Sequence, residues 1–457
     1  MATINDNYRV TSRNPYIEII DTERKIVLAT SNKLDIKALH KIDILGYSFS
    51  LHLNDTQGSF NFSIFPNTDL SFIKPFQTVK IYENGDSKIP SFTGVIKSKK
   101  VVTQVGEKIN RRVSVSGIAA AGLIADYKIN LDVKTMAITG VTLATDELRK
   151  DLTTALSSEL TISGAIAVIW NHFKSIANKF KALSTSTIQK FVDSLCIPGV
   201  FDTSTLGNLQ YPLGNVFSGE CETNVYALID GVTPQPIYEK YIFQDFITGK
   251  QGVRIRECPF DSVRWLAIPC HQIMGKDLIS FDLTQDNSEV YTVFYAYCKN
   301  YSIDSDRAFI LESQQIKENP NLATDNEKYG KYGYRLLQAS FLGYENKNTA
   351  NVDAETGSTM RILSERLKSW YSNLDEFYKG NVCLITDDMK PMPQPGEKIS
   401  FLNGEFYVVG SQHDWSYMDV PRTTLAIERG GVYVAGKYIK PIEDPSGYDT
   451  GFARGEV

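Results

Sequence analysis

The chain has 457 residues, of which 42% are hydrophobic and 22% are charged, and its formal net charge is −5. This length allows roughly two to four domains of about 150 residues each, and the composition excludes a wholly disordered protein. The small negative net charge argues against nucleic acid as the main partner, because binding to phosphates needs clustered Lys and Arg.

Targeting segments and disulfides are not expected. The N-terminal sequence MATINDNYRVTSRNP lacks the apolar region of a signal peptide, and no run reaches the roughly 18 apolar residues of a membrane-spanning helix. We therefore expect no membrane insertion. The cysteines are dispersed without a CxxC motif, so we expect reduced thiols; they are Cys196, Cys221, Cys258, Cys270, Cys298 and Cys383.

Residues 14–127, after a polar arm at 1–13 that we expect to be flexible, are predicted to be a first β-domain. Apolar and polar residues alternate through 42–54 and 59–65, as in half-buried strands. Turn signals at 55–58 and 84–86 separate the runs. Five or six short strands in about 110 residues indicate a small barrel or sandwich.

Residues 128–222 are predicted to be a mainly helical insertion, with helices at 147–160 and 164–183. Apolar residues recur in the second helix at steps of three and four, which is typical of an amphipathic helix. Residues 223–270 are predicted to be a mixed connector, with a short helix at 223–230 and strands at 237–243 and 253–256.

Residues 271–436 are predicted to be a second β-domain. It begins with two strands within 278–298, joined by a turn at Asp286 and Asn287, and continues with a polar insertion at 302–335 that reads as a surface loop. A helix at 354–378 ends near Gly380. The last strands are predicted at 382–385, 398–402, 406–409 and 423–427, and residues 437–457 are predicted to be an extended tail.

Catalytic and metal-binding patterns are weak. The histidines are scattered, and Cys258 with Cys270-His271 lacks the second closely spaced ligand pair of a zinc site. His413-Asp414 could form an acid–base pair, but the preferred interpretation places His413-Asp414-Trp415 on a strand or turn edge with Trp415 packed against the module. There is no GxGxxG or P-loop, and no particular carboxylate pair stands out. We predict a protein without enzymatic activity, metal or cofactor.

Basic residues cluster around a predicted hairpin. Because alternation leaves one strand face polar, we interpret them as solvated strand-face and turn charges. They are Lys97, Lys99, Lys100, Lys108, Arg111 and Arg112.

Several motifs, in order along the chain, resemble baseplate and tail hub proteins of phage tails and phage-derived contractile injection systems. FTGVIKSKK (92–100) and RRVSVSGIAAAGLI (111–124) are similar to the end of the first hub barrel. VRIRECPF (253–260) and DLISFDLTQDNSEVYTVFYAY (277–297) are similar to the middle segment and to the entry of the second barrel. PQPGEKISFLNGEFYVVGSQHDWSYMDVPRTTLAIERGG (393–431) resembles the closing strands.

The resemblance implies an α+β fold with two tail-tube-like antiparallel β-barrel modules and an inserted helical layer. It implies a homotrimeric symmetry adaptor that joins a hexameric tail tube to a trimeric spike, because two barrels per chain give six barrels per trimer. The implied partners are the tail tube protein, the central spike protein and other baseplate proteins, with no sequence-specific nucleic acid. The implied location is a virion tail or injection-particle baseplate assembled in the bacterial cytoplasm.

The strands of both modules are expected to carry inter-subunit packing, and Ile427→Asp is expected to prevent assembly because a buried unpaired charge is costly. The interface candidates are Phe60, Phe62, Phe92, Ile96, Val113, Val115, Phe406, Val408, Leu425 and Ile427. Two alternatives remain open: a tail-associated cell-wall hydrolase, and a carbohydrate- or receptor-binding tail component, which the Tyr and Trp content suggests.

Overall fold

A computed structural model of the chain describes most of both predicted β-domains and part of the region between them. The described residues are 15–21, 25–31, 38–65, 69–83, 88–104, 110–126, 128–130, 136–138, 141–143, 161–179, 192–206, 222–299, 322–342, 350–386, 392–402, 404–434 and 437–441. The predicted arm at 1–13 and the predicted helix at 147–160 lie outside them.

The first β-rich segment contains eight strands, and β4 and β5 alternate buried and exposed side chains as the sequence predicts. The strands are β1 (Tyr16–Asp21), β2 (Ile26–Thr30), β3 (His40–Lys41), β4 (Ile44–His52), β5 (Ser59–Ile64), β6 (Thr78–Tyr82), β7 (Phe92–Gln104) and β8 (Asn110–Ala119). A 3-10 helix follows at Ala121–Asp126.

The central segment mixes short strands with helices. Its elements are β9 (Lys128–Asn130), β10 (Met136–Ile138), β11 (Val141–Leu143), α1 (Ile162–Lys179), β12 (Cys196–Asp202), β13 (Glu222–Asn224), α2 (Val225–Val232), β14 (Tyr238–Gln244), β15 (Gln251–Glu257) and α3 (Ser262–Ala267). Helix α1 matches the predicted amphipathic helix. The described part of 128–222 also holds five short strands.

The C-terminal segment completes the fold. Its elements are β16 (Cys270–Gln272), β17 (Leu278–Thr284), β18 (Val293–Lys299), β19 (Leu322–Thr324), α4 (Asn326–Tyr332), β20 (Leu336–Leu342), α5 (Ala350–Tyr371), β21 (Tyr378–Ile385), β22 (Lys398–Phe401), β23 (Gly404–Ser416), β24 (Arg422–Val434) and β25 (Lys437–Pro441), with 3-10 turns at Gly275–Asp277 and Leu374–Glu376.

The predicted hairpin within 278–298 is wrong in its pairing. Both strands exist, but β17 pairs with β21, whereas β18 lies in a separate three-stranded sheet between β19 and β20. The reason is burial, because Phe294 and Ala296 of β18 are buried and the β18 backbone at Ala296 donates to Ser364 Oγ of α5.

Three other expectations need correction. The described part of the predicted polar loop, 322–335, contains β19 and α4, and Asp325 caps α4 by accepting from Lys328 N. Helix α5 ends at Tyr371, and Tyr378 begins β21 rather than ending a helix. The predicted extended tail begins as strand β25, which pairs with β24.

The two predicted β-domains share one 15-stranded sheet. Its main path is β17-β21-β24-β23-β4-β5-β8-β7-β6-β1-β2-β3, and the domains meet where β23 pairs with β4. Among the described strands this path is open, with β17 at one end and β3 at the other, so two separately closed barrels are not observed. Helices α1 and α2 and strands β12, β14 and β15 pack as a second layer that shares the main hydrophobic core.

Candidate functional site: a duplicated sheet with one polar face

The same five-strand unit occurs twice in the chain. The first module is β4, β5, β6, β7 and β8, with sheet order β4-β5-β8-β7-β6; the second module is β17, β21, β22, β23 and β24, with order β17-β21-β24-β23-β22. The strands therefore correspond one to one, in chain order as well as in space.

The register of the two modules is also the same. Phe62 pairs with Val115 in the first module, and the equivalent Val382 pairs with Leu425 in the second. Each module has a bulge early in its first strand, after Ile44 or Leu278. A further bulge interrupts β7 after Ile96 and β23 after Val408, at equivalent positions. Matching bulges and register make the modules a structural duplication.

Core packing in the two modules is complementary at three equivalent positions. In the first module the Phe60 ring fills the space beside Gly94 and Gly117, where a Cβ on either glycine would lie within 2.6 Å of that ring. The equivalent positions in the second module are a glycine, a phenylalanine and an isoleucine, namely Gly380, Phe406 and Ile427. The large aromatic side chain is thus on β5 in the first module and on β23 in the second, and both Phe406 and Ile427 are buried.

The face of the sheet opposite the core carries small polar side chains across the boundary between the modules. Strand pairing places the following residues in one row over six strands: Arg422, Asp414, Ser48, Asn61, Ser116 and Ser98. Neighbours on this face bond to one another: Ser98 Oγ lies 2.7 Å from Ser116 Oγ, and Ser114 Oγ donates to Asn61 Oδ1 at 2.9 Å. We call this surface the polar face.

The seam between the modules is the antiparallel pairing of 410–416 in β23 with 46–52 in β4. On the core side, the His413 ring stacks on Phe49 with centroids 4.2 Å apart, and His413 Nδ1 lies 3.0 Å from Glu83 Oε1. Both His413 and Glu83 are buried. The seam is therefore a packed junction with a buried contact between His413 and Glu83.

Strand β7 is paired on both sides only in its first half. Phe92 to Val95 pair with β6, and β8 covers the other side along nearly the whole strand. Among the described residues, no strand pairs with the outer edge of β7 from Ser98 to Gln104, and none pairs with the outer edge of β17. In the described sheet, the outer edges of β17 and of the second half of β7 are therefore unpaired, in addition to the short end strand β3.

All ten interface candidates lie inside the chain's own cores. Their side chains are at most 4% exposed, six of them in the main core and four in the core of the second module. They therefore build the modules and present no surface to a partner. Ile427→Asp would accordingly disrupt the second module itself and does not report on assembly alone. Participation of the strands through their edges stays a prediction.

A buried polar cluster ties the central layer to the second module. Arg256 of β15 pairs with Glu239 of β14 and donates to Tyr407 OH of β23 at 2.7 Å. Burial raises the pKa of Tyr407 far above its usual value, and burial also raises the pKa of the Cys258 thiol nearby. Tyr407 OH in turn donates to Glu239, and Cys258 Sγ donates to the carbonyl oxygen of Pro236 at 3.2 Å. The cluster is therefore suited to holding the central layer against the second module.

The sequence placed other residues correctly. His413 and Trp415 lie on strand β23, with Trp415 packed inward at 7% exposure. Lys99, Lys100, Arg111 and Arg112 are exposed on the β7–β8 hairpin, as predicted for strand-face charges. The seam and the unpaired edges were missed. One sequence signal of the duplication was available, because TVKIYE (78–83) and KISFL (398–402) occupy equivalent positions in β6 and β22.

Metal-ligating side chains do not cluster in the part of the chain that the structure describes. No group of three or more His, Cys, Asp or Glu side chains within it is arranged to hold a metal ion. A shallow depression of about 410 Å³ lies on the polar face, lined by residues such as Ser50, Asn61 and Gln412. None of the described helices is long and apolar enough to cross a membrane.

No protein-family model matches the chain, and no curated protein matches its sequence. Among solved structures, the chain is similar to a tail protein from Neisseria meningitidis MC58, with 13% identity and a TM-score of 0.45, over 87% of this chain and 95% of that one. It is also similar to the 43 kDa tail protein of prophage MuSo2 from Shewanella oneidensis, with 10% identity and a TM-score of 0.45, over 91% of this chain and 98% of that one.

An Escherichia coli component of the type VI secretion system is a further match, with 8% identity and a TM-score of 0.38, over 88% of this chain and 76% of that one. These three solved structures are phage tail and secretion-system proteins. The likenesses concern the course of the chain, and no residue role is taken from them.

Proposed function

We propose that the chain is a structural, non-enzymatic hub of a phage tail or injection-particle baseplate, and that it works as a homotrimer. The duplication of the sheet module within one chain is the observation that supports this most directly. A ring of three such chains has threefold symmetry and presents six nearly equivalent modules. One side of that ring can match a sixfold tail tube while the ring itself stays compatible with a threefold spike.

Ring dimensions agree with a central channel. Eight strands per chain lie in the continuous run from β17 to β7. At about 4.8 Å between neighbouring strands, three chains would span a circumference of about 115 Å, or roughly 37 Å across between backbones. Such a ring would leave neither β17 nor the second half of β7 as a free strand edge, which would remove the aggregation hazard of these two edges.

The polar face would line this channel. Its small hydroxyl and amide side chains bond mainly to one another, and the face carries charges of both signs, such as Arg422 and Asp414. A surface of this kind offers passing cargo no apolar patch and no strong single-sign field. The core side, covered by α1, α2 and the central strands, would face outward toward other baseplate proteins.

Solution mass tests the proposal first. Light scattering coupled to size exclusion is expected to give a mass near three times the 51.2 kDa of the chain. Image averages of the particles are expected to show a ring with six density lobes. A stable dimer, or a monomer at every concentration tested, would contradict the trimeric hub. Release of peptidoglycan fragments by the purified chain would favour the hydrolase alternative instead.

A further inference from the structure

We infer that the outer edge of β7 in one copy pairs with the outer edge of β17 in the next copy, in the register that β23 and β4 adopt within one chain. The inference rests on the proposed trimer and adds to it the two edges and their alignment. The partner is a second copy of this chain, bound head to tail, which is the kind of contact that closes into a ring.

The seam within the chain supplies the template. Strand β23 of the second module pairs with β4 of the first, and their equivalents are β7 and β17, whose outer edges no described strand covers beyond Ser98 of β7 and along β17. The first module therefore has, at β7, the docking edge that the second module already uses at β23. The second module has, at β17, the edge that the first uses at β4. Joining β7 to β17 of another copy repeats the internal seam.

The bulges fix the register. Gly410 after the β23 bulge corresponds to Ser98 after the β7 bulge, and Gly46 corresponds to Ser280. Transferring the pairs of the internal seam then aligns the two edges residue by residue. The predicted pairs are Ser98 with Asp286, Lys99 with Gln285, Lys100 with Thr284, Val101 with Leu283, Val102 with Asp282, Thr103 with Phe281 and Gln104 with Ser280.

Apolar exposure at both edges agrees with this alignment. Val101 is 65% exposed and Leu283 of β17 is only partly buried. Their equivalents in the internal seam are His413 and Phe49, which stack on each other and are 6% and 2% exposed. Pairing in the inferred register would place Val101 directly against Leu283, on the side of the sheet that faces the core.

The charged side chains along the two edges also support pairing of β7 with β17. On the polar face Lys100 is placed opposite Thr284 and diagonally between Asp282 and Asp286, a separation that a long side chain spans. The β7 edge also carries Lys97 and Lys99. Pairing two β7 edges would bring lysines together, and pairing two β17 edges would bring aspartates together, so the charges favour β7 with β17.

Disulfide trapping tests the register. The variant Val101→Cys with Leu283→Cys is oxidised at concentrations where light scattering shows the trimer, then run on a denaturing gel without reductant. We expect most of the protein in covalent dimer and trimer bands that reductant removes. A matched control, Val101→Cys with Ile279→Cys, displaces the second thiol by four residues, about 14 Å along the strand, and is expected to cross-link at least tenfold less.

A second cysteine pair tests the register independently, in case the first double variant misfolds. Lys100→Cys with Thr284→Cys uses two exposed positions on the polar face and is expected to give the same bands. The single variant Val101→Cys measures cross-linking by the native cysteines. A trimer in which neither designed pair cross-links above the controls would overturn the inferred register while leaving the hub proposal intact. A chain that never forms trimers would overturn both.

Discussion

At the scale of single residues, His413 and Glu83 hold the two modules together. They are 330 positions apart in the chain, yet His413 Nδ1 lies 3.0 Å from Glu83 Oε1 in a buried site. Thr423 Oγ1 lies 3.2 Å from the same ring nitrogen. Removal of the imidazole therefore leaves a buried carboxylate without its main partner.

We expect His413→Ala to lower the free energy of unfolding by about 2 kcal/mol, because removing the imidazole leaves the buried Glu83 carboxyl group without this hydrogen-bond partner. Urea denaturation measures the loss. His52→Ala is the matched control: His52 is an exposed histidine on the same seam, and its removal should change stability by less than about 0.5 kcal/mol. Equal effects of the two substitutions would show that the Glu83 contact contributes little.

The sequence predicts the position of His413 but not its partner. Strand periodicity places His413-Asp414-Trp415 on a strand with the Trp inward, since that depends on neighbouring residues only. The contact with Glu83 depends on β23 joining β4, a pairing between segments that are more than 300 residues apart. Burial of the interface candidates has the same origin: alternation identifies an inward face without saying whether the chain or a partner covers it.

At the scale of elements, the bulge in β7 and the glycines beside Phe60 form one packing unit. A Cβ on Gly117 would lie 2.0 Å from the carbonyl oxygen of Val95 and 2.5 Å from the Phe60 ring. The first obstacle is backbone and cannot move aside as a flexible side chain does. The second module avoids the second obstacle, the aromatic ring, because Gly380 stands where the first module has Phe60.

Gly117→Ala is expected to destabilise the protein by about 1–3 kcal/mol, since overpacking forces the strands apart. Thermal unfolding followed by circular dichroism measures the change. Ser116→Ala, one residue away on the polar face, is the control and should be nearly neutral. Adding Phe60→Leu should recover only part of the loss, because the Val95 carbonyl remains in place. Full recovery would locate the strain in the aromatic ring alone.

Element prediction from sequence succeeded for locally encoded strands and failed for pairing. The alternation in β4, β5, β23 and β24 predicts each strand. The Asp286 turn, by contrast, suggested a hairpin of β17 with β18, yet β17 completes the repeat and β18 packs against α5. Adjacency along the chain favours a hairpin, but burial of Phe294 and Ala296 decides the outcome. The duplication itself leaves only a short sequence trace, because the equivalent core positions have exchanged large and small residues.

At the scale of the whole molecule, the two halves of the sheet differ in what they leave open, and that difference gives the assembly a direction. One open edge is basic, at β7, and the other is acidic, at β17. Like edges repel and unlike edges attract, so in the proposed trimer copies would add head to tail, and the ring would close when the curvature of the sheet brings the last edge to the first. A sequence can suggest two modules, but the pairing of their strands in the structure is needed to show which strand edges remain unpaired.

Charge reversal tests this direction. Lys100→Asp places a third acidic group beside Asp282 and Asp286, and we expect trimer dissociation to become about tenfold easier, equivalent to about 1.4 kcal/mol. Sedimentation at a series of concentrations and at low salt measures the shift, which should shrink as salt screens the charges. Lys41→Asp makes the same change of charge on exposed β3, which takes no part in the inferred pairing of β7 with β17, and should leave the trimer unchanged. The decisive variant combines Lys100→Asp with Asp282→Lys: direct contact across the seam predicts that the second reversal restores association, whereas two additive losses would place Lys100 and Asp282 in different surroundings.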